Sequence, residues 1–269
     1  MTTFHLADEV CAAFPDARVV LLTARGVRGG QPWPAASTAL AELERRYAAG
    51  DFVPADESDP RIAGWHAAYR RFGSNPRRMR PSVDALCRRL VRTGGLPRIG
   101  AAVDCYNLVS VSHGFPAGAF DLSRIAGDVA IRFARDGDEF TPLGEPDAVE
   151  RPRAGEVVYA DAAGVLTRHW NHRDAERTKV TPQSRDVVFL LETVDAETFG
   201  AALAAAAREL ADLVGPHAGQ VTEHVLDGER RVARLAGDVP LVQHPEPARR
   251  QGGVPGGGGE PADVPAARP

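Results

Sequence analysis

Two hydrophobic rhythms run along this chain. One is a short, nearly continuous apolar run, Ala17-Arg18-Val19-Val20-Leu21-Leu22-Thr23-Ala24, stopped at Arg25-Gly26. Its length and β-branched content predict a strand. The other rhythm sets apolar residues three and four apart. Leu40, Leu43 and Tyr47 keep that spacing and predict a helix from a Ser37 cap. A sharper helix follows: Asp59 as N-cap, Pro60 at the first helical position, the stripe Ile62, Trp65, Tyr69 and Phe72, and Gly73 as the stop. After Pro81 and a Ser82 cap, a third helix places Val83, Leu86, Cys87, Leu90 and Val91 on one face before Gly94-Gly95.

Residues 100–112 fit both rhythms. Their alternation reads as a strand, whereas a helix would align Asp104, Asn107 and Val111. Runs at 129–134, 156–160, 165–170 and 187–191 read as strands between Gly, Pro and Asp turns. A last helix runs from the cap Asp195 through Phe199, Leu203, Leu210 and Leu213 to Gly215-Pro216. Helices first and strands later predict an α+β fold, not a regular βαβ array. After Pro245 the chain is so rich in Pro and Gly that it cannot bury enough apolar surface to offset ordering, and a disordered tail is expected. The expected organisation is an N-terminal α/β extension over 1–60 packed on the core, a main domain over 61–215, a C-terminal extension over 216–244, and the tail over 245–269.

Composition adds little until charge is mapped along the chain. No apolar run approaches the roughly 18 residues of a membrane span. The start, Met1-Thr2-Thr3-Phe4-His5, has neither the basic residues nor the apolar stretch of a signal peptide. Three cysteines, an odd number without metal-ligand spacing, suit a reducing compartment, so a cytoplasmic location is expected. The net charge of −4 argues against an indiscriminate coat for nucleic acid, but its distribution is uneven. Between Arg61 and Arg98 lie ten arginines and a single acid, Asp84. Arg70 and Arg71 end one helix, Arg77, Arg78 and Arg80 occupy the following loop, and Arg88, Arg89 and Arg92 fall on the solvent side of the next helix. Such a cluster suits a partner that presents phosphates at one place, and it equally suits a solvated helix surface.

None of the common catalytic motifs appears: no Gly-x-Ser-x-Gly, phosphate loop, His-Glu-x-x-His or Cys-x-x-Cys. His169, His172 and Asp174 are metal-ligating residue types, yet two histidines three apart at a strand end face different ways, so no metal is expected. Cys105 sits in an apolar run and reads as packing. Asp104 and Asn107 can orient a ligand or brace local backbone. Glu192 ends an apolar strand, where a carboxylate often just meets solvent.

The middle of the chain resembles the fused third and fourth domains of the bacterial phenylalanyl-tRNA synthetase β subunit, a module also found free-standing. The stretches that carry the resemblance are Pro81-Ser-Val-Asp-Ala-Leu86, Val103-Asp-Cys-Tyr-Asn107, Gly114-Phe-Pro-Ala-Gly-Ala-Phe-Asp121, residues 125–132, Gly155-Glu-Val-Val-Tyr-Ala-Asp161 and 187–192. Together they span roughly residues 61 to 200. The resemblance implies a mixed α+β domain with a β-sandwich-like core flanked by helices, and a pocket that hydrolyses wrongly attached amino acids from tRNA. A second, hydrolytic site is needed where one pocket cannot discriminate substrates that differ by one small group.

The resemblance also implies roles. Asn107 matches a pocket-region Asn, Tyr106 stands where the family has Thr, and Gly118 stands where the Gly-x-Pro-x-His-x-Phe-Asp pattern has its His. Glu192 matches the glutamate that reads the phenolic hydroxyl of tyrosine in the synthetases. By this reading Asn107 and Asp104 orient the ester or a water, and Glu192, Tyr106 and Gly118 shape the amino-acid pocket. The arginines 70, 71, 77, 78, 80, 88, 89 and 92 hold the acceptor end of an aminoacylated tRNA. No cofactor and no tRNA-charging machinery is implied. Two other readings stay open: an RNA-binding module without hydrolysis, and a binder of amino acids or other small molecules that uses the same pocket.

Overall fold

A computed structural model describes residues 2–235. The expected tail over 245–269 and part of the expected C-terminal extension lie outside the described residues. The strands are β1 (Thr3–Leu6), β2 (Arg18–Arg25), β3 (Ala117–Asp121), β4 (Val129–Phe133), β5 (Val157–Asp161), β6 (Gly164–Arg168), β7 (Arg173–Asp174), β8 (Val187–Thr193), β9 (Gln220–Leu226) and β10 (Val232–Arg234). The helices are α1 (Asp8–Ala13), α2 (Pro34–Ala49), α3 (Pro60–Arg71), α4 (Ser82–Thr93), α5 (Ala101–His113) and α6 (Ala196–Val214).

The strands form two sheets. One has the order β10-β1-β4-β5-β6-β7, the other β3-β8-β2-β9. Only the β1–β4 pair is parallel; its neighbours and the whole second sheet pair antiparallel. Phe4, Val19, Leu21, Val129, Ile131, Tyr159, Val188 and Leu190 meet in one core between the sheets, which makes the α+β fold a sandwich at its centre. The alternate residues of β2 and β8, among them Val20, Leu22, Phe189 and Leu191, pack on α5 and α6 behind the second sheet. Burial on both faces is why these two strands read as continuous apolar runs instead of alternating. A third apolar cluster joins α2, α3, α4 and α5.

Residues 1–60, expected as an extension packed on the core, supply β1 to one sheet and β2 to the interior of the other. Residues after 216 likewise add β9 and β10. The ambiguous stretch at 100–112 is helix α5: Asp104 accepts from the amides of Ile99 (2.8 Å) and Gly100 (3.3 Å), closing the helix start. Asp59 caps α3 as expected, accepting from the Arg61 amide at 2.9 Å, and Asp195 caps α6 through the Thr198 amide.

Two expected caps are corrected. The first helical bond of α2 runs from Ser37 N–H to the Trp33 carbonyl, so Ser37 lies inside a helix that Pro34 opens. Ser82 occupies the first helical position of α4, and its amide donates to the Asn171 carbonyl at 3.0 Å instead of receiving a cap.

Candidate functional site

Strand parity carries Glu192 into the molecule. It stands two and four residues beyond Leu190 and Val188, so it shares their inward face in the gap between the sheets. Gly118 pairs with Leu190 across β3 and β8 and faces the same gap. Glu192 is therefore 3% exposed, not the solvent-facing strand end that its position in the sequence allows.

The partners of its carboxylate come from the other sheet. Tyr159 O–H on β5 donates to Oε1. Trp170 Nε1–H donates to the same oxygen at 3.1 Å, and Asn171 Nδ2–H donates to Oε2 at 2.8 Å. Trp170 and Asn171 reach it because the chain turns sharply after β6: His169 and Trp170 adopt left-handed backbone (φ 48° and 67°). Non-glycine residues hold that conformation at a cost, so surrounding bonds must over-determine it. They do, through His169 N–H to Glu156 (3.0 Å), Trp170 N–H to the Val157 carbonyl (2.7 Å), and Trp170 packed edge-on against Phe14 and Trp65.

Around Glu192 lies a hollow of about 60 Å³, lined also by Ser82, Gly118, Tyr159, His172 and Asp174. Since one water needs roughly 10–15 Å³ on this measure, it has room for a few waters or a small chemical group. Burial pushes the Glu192 carboxyl up to about 7, Asp174 adding to the rise, although its three donors pull the other way. Burial likewise raises Asp174 to about 6, opposed by the Thr167 hydroxyl bonded to it at 2.7 Å. The Ser82 hydroxyl in the wall has no hydrogen-bond partner among the described residues.

His172 carries the most usable chemistry. Its Nδ1–H donates to the Arg80 carbonyl at 2.8 Å, which leaves Nε2 as the acceptor of a neutral ring. Burial lowers its pKa, with the Arg80 carbonyl bond opposing. His169 and His172 have ring centroids 5.7 Å apart, but Nδ1 of His169 is bonded to Ser74 Oγ at 2.7 Å. No group of three or more metal-ligating side chains gathers among the described residues.

The structure brings Glu192 and Gly118 together in this hollow and leaves the other expected pocket residues outside its lining. Tyr106 packs against Phe189 on the helical side of the second sheet, 6.4 Å between centroids. Burial raises its hydroxyl pKa, followed by the Asp174 and Asp104 carboxylates. Asn107 is buried on α5, and both hydrogen bonds of Asp104 go to backbone amides. Ser82, Tyr159, Trp170, Asn171, His172 and Asp174 are among the lining residues that sequence reasoning did not assign to the pocket. The signal for the last four was the run 168–174, whose His and Asp residues had suggested only metal ligation.

The arginines divide into tied and free. Asp84, fully buried, accepts from Arg88 Nε (2.7 Å) and Arg80 Nη1 (3.2 Å) and meets His66 Nε2 at 3.0 Å. Arg61 pairs with Asp59 and Arg98 with Glu44. Arg70, Arg71, Arg77, Arg78, Arg89 and Arg92 are exposed, and none pairs with a carboxylate among the described residues. Arg71 lies over the Phe14 ring at 5.3 Å. The turn after β6 ties this segment to the hollow: Tyr69 O–H donates to Asn171 Oδ1 (2.8 Å), and the Asn171 and Arg80 carbonyls accept from Ser82 and His172.

A family model described as the B3/4 domain matches residues 64–210, more than half of the chain. Among curated proteins, the phenylalanine–tRNA ligase β subunit of Nocardia farcinica is 33% identical over 170 residues, covering 63% of this chain and 19% of that protein. The Bordetella pertussis counterpart is 30% identical over 139 residues, covering 50% of this chain and 16% of its own length. The chain thus spans less than a fifth of these relatives. Among solved structures, an N-terminal fragment of the phenylalanyl-tRNA synthetase β-subunit from Pyrococcus horikoshii matches with a TM-score of 0.42 and 15% identity, over 82% of this chain and 50% of that one. No helix among the described residues is long and apolar enough to cross a membrane.

Proposed function

The chain belongs to the B3/4 domain family, and on that premise we propose that it hydrolyses the ester of wrongly charged aminoacyl-tRNA in the cytoplasm. The aminoacyl group enters the hollow at Glu192, and the acceptor end of the RNA lies across the free arginines. The observation that carries this reading is the position of Ser82. It lines the hollow and opens the helix that carries Arg88, Arg89 and Arg92, two residues after Arg80.

The buried Glu192 and half-buried Asp174 carboxylates suit the α-ammonium group of an amino acid, because a cation between them offsets the burial that raises both pKa values. An aminoacyl ester is already activated, so positioning and one proton shuttle supply most of what its hydrolysis needs. In the proposed step water attacks the carbonyl carbon and gives its proton to His172 Nε2. The C–O bond to ribose breaks, and the ribose oxygen takes that proton back from the imidazolium. The Ser82 hydroxyl donates to the oxyanion, while Asp104 and Asn107 brace α5 behind the site.

A panel of mischarged tRNAs carrying labelled amino acids tests the reading. Faster release from at least one of them than spontaneous hydrolysis gives is expected. No acceleration on any would remove it and leave an RNA-binding module, recognised by tRNA affinity that falls steeply with salt.

A further inference from the structure

The hollow at Glu192 limits what can enter it, by space and by donors already in place. Its volume of about 60 Å³ gives room for about four to six waters, at roughly 10–15 Å³ each. An α-ammonium group held at the two carboxylates uses part of that room. What remains takes a methyl or a hydroxymethyl group, not an aromatic ring.

The walls are fixed from behind. Tyr159 packs edge-on against Phe120, 5.9 Å between centroids, and Trp170 against Phe14 and Trp65 at 5.0 and 5.2 Å. All five rings are buried, and in a close-packed interior a ring moves only if its neighbours do. Tyr159 and Trp170 also donate to Glu192, so turning either aside would leave a buried carboxylate short of a donor. Gly118 adds a little room. A Cβ there would stand at contact distance, 3.8 Å, from Asp174 Oδ2, so the missing side chain frees about the space of one methyl group.

The donors also exclude a phenol. Glu192 Oε1 accepts from Tyr159 and Trp170, and Oε2 accepts from Asn171. The Tyr159 hydroxyl, a phenol of the chain itself, already stands where the phenol of a substrate would have to bind. Asp174 differs: its Oδ1 accepts from Thr167, but its Oδ2 accepts no bond among the described residues.

We infer that the amino acid this hollow admits is a small one, alanine or serine, and that tyrosine and other aromatic residues are excluded. The methyl of alanine meets the apolar wall of Ala117, Phe120 and Leu190. The hydroxyl of serine donates to the open Asp174 Oδ2. This inference rests on the reading of the Glu192 hollow as an aminoacyl site and names the substrate class of that site. It departs from the role that the sequence resemblance gives Glu192, because the fold has already supplied that carboxylate with three donors.

The probes are adenosines whose 3′-amino group carries glycine, alanine, serine or tyrosine through an amide, so that nothing is cleaved while they are titrated against the full chain. The alanyl and seryl probes should bind at least tenfold more tightly than the tyrosyl probe, since room for extra atoms is what separates them. Gly118→Ala should weaken the seryl probe at least fivefold more than the glycyl probe. Equal binding of all four, tighter binding of the tyrosyl probe, no binding of any, or equal losses on the glycyl and seryl probes in the variant would each overturn the assignment. The panel of mischarged tRNAs separates this from the hydrolase reading. Cleavage fastest on a tyrosyl ester would remove the size limit alone. Selective binding of the small probes without cleavage of any ester would leave the size limit standing and remove hydrolysis.

Discussion

The side-chain amide of Asn171 donates to Glu192 across 2.8 Å from the opposite sheet, and its own oxygen accepts from Tyr69 at 2.8 Å. The amide orientation is thereby fixed, and one residue links the second sheet, the turn after β6 and α3. Asn171→Ala leaves the Tyr69 hydroxyl and one Glu192 oxygen without partners in a buried place. Unmade buried hydrogen bonds cost about 1–3 kcal/mol each. Denaturant unfolding should show a loss of that order, and deacylation should fall with it.

Glu192 titrates near 7 in the folded protein against 4.5 as a free carboxyl. A raised carboxyl pKa means the folded state binds the proton more tightly, so its contribution is most favourable below about 4.5 and is lost as pH rises to about 7. Asp174, raised from 3.8 to about 6, acts in the same direction. Glu192→Gln removes one of these losses. Melting temperatures taken from pH 4 to 8 should therefore fall less steeply for the variant, and parallel curves would contradict the assignment.

His172 is held neutral by burial and presents Nε2 as a base. Positioned acid–base groups contribute roughly 10²–10⁴-fold to rate. His172→Gln should lower kcat by that order with a smaller effect on KM. It should also abolish a rise in rate with pH whose midpoint lies below the usual histidine range. An unchanged pH–rate profile would show that His172 only supports the turn.

Gly118 does not adopt positive φ, and a Cβ there would stand 3.8 Å from Asp174 Oδ2, an ordinary contact. Gly118→Ala should fold with stability within about 1 kcal/mol of the parent, since the added methyl meets no clash in the hollow. It narrows the hollow, however. The ratio of kcat/KM for small over large amino acids should rise, and a uniform change across the panel would place the amino-acid side chain elsewhere.

Arg88 and Arg92 lie one turn apart on α4 and should behave differently. Arg88 neutralises the buried Asp84, so Arg88→Ala should lower the melting temperature measurably, because one partner of a buried charge is lost. Arg92 has no carboxylate partner among the described residues. Arg92→Ala should leave the melting temperature unchanged and reduce the salt slope of tRNA binding by about one.

The sequence determined the local elements and the charge. Apolar period and capping residues marked β2, α3, α4, β8 and α6, because hydrogen-bonded periodicity and caps are properties of neighbouring residues. The arginine cluster was legible for the same reason, and the quoted stretches pointed to the family. Short strands such as β1, β3, β9 and β10 were not, since three to seven residues carry little periodic signal until a partner strand pairs with them. The site belonged to the tertiary structure. That Glu192 is buried depends on which face of β8 the opposite sheet, β10-β1-β4-β5-β6-β7, covers. That Tyr159, Asn171, His172 and Asp174 surround it depends on a left-handed turn after β6. Which arginines remain free depends in part on carboxylates as distant as Glu44, which ties Arg98. Contacts between residues far apart in the chain leave no periodic trace in it, so folding alone decides them.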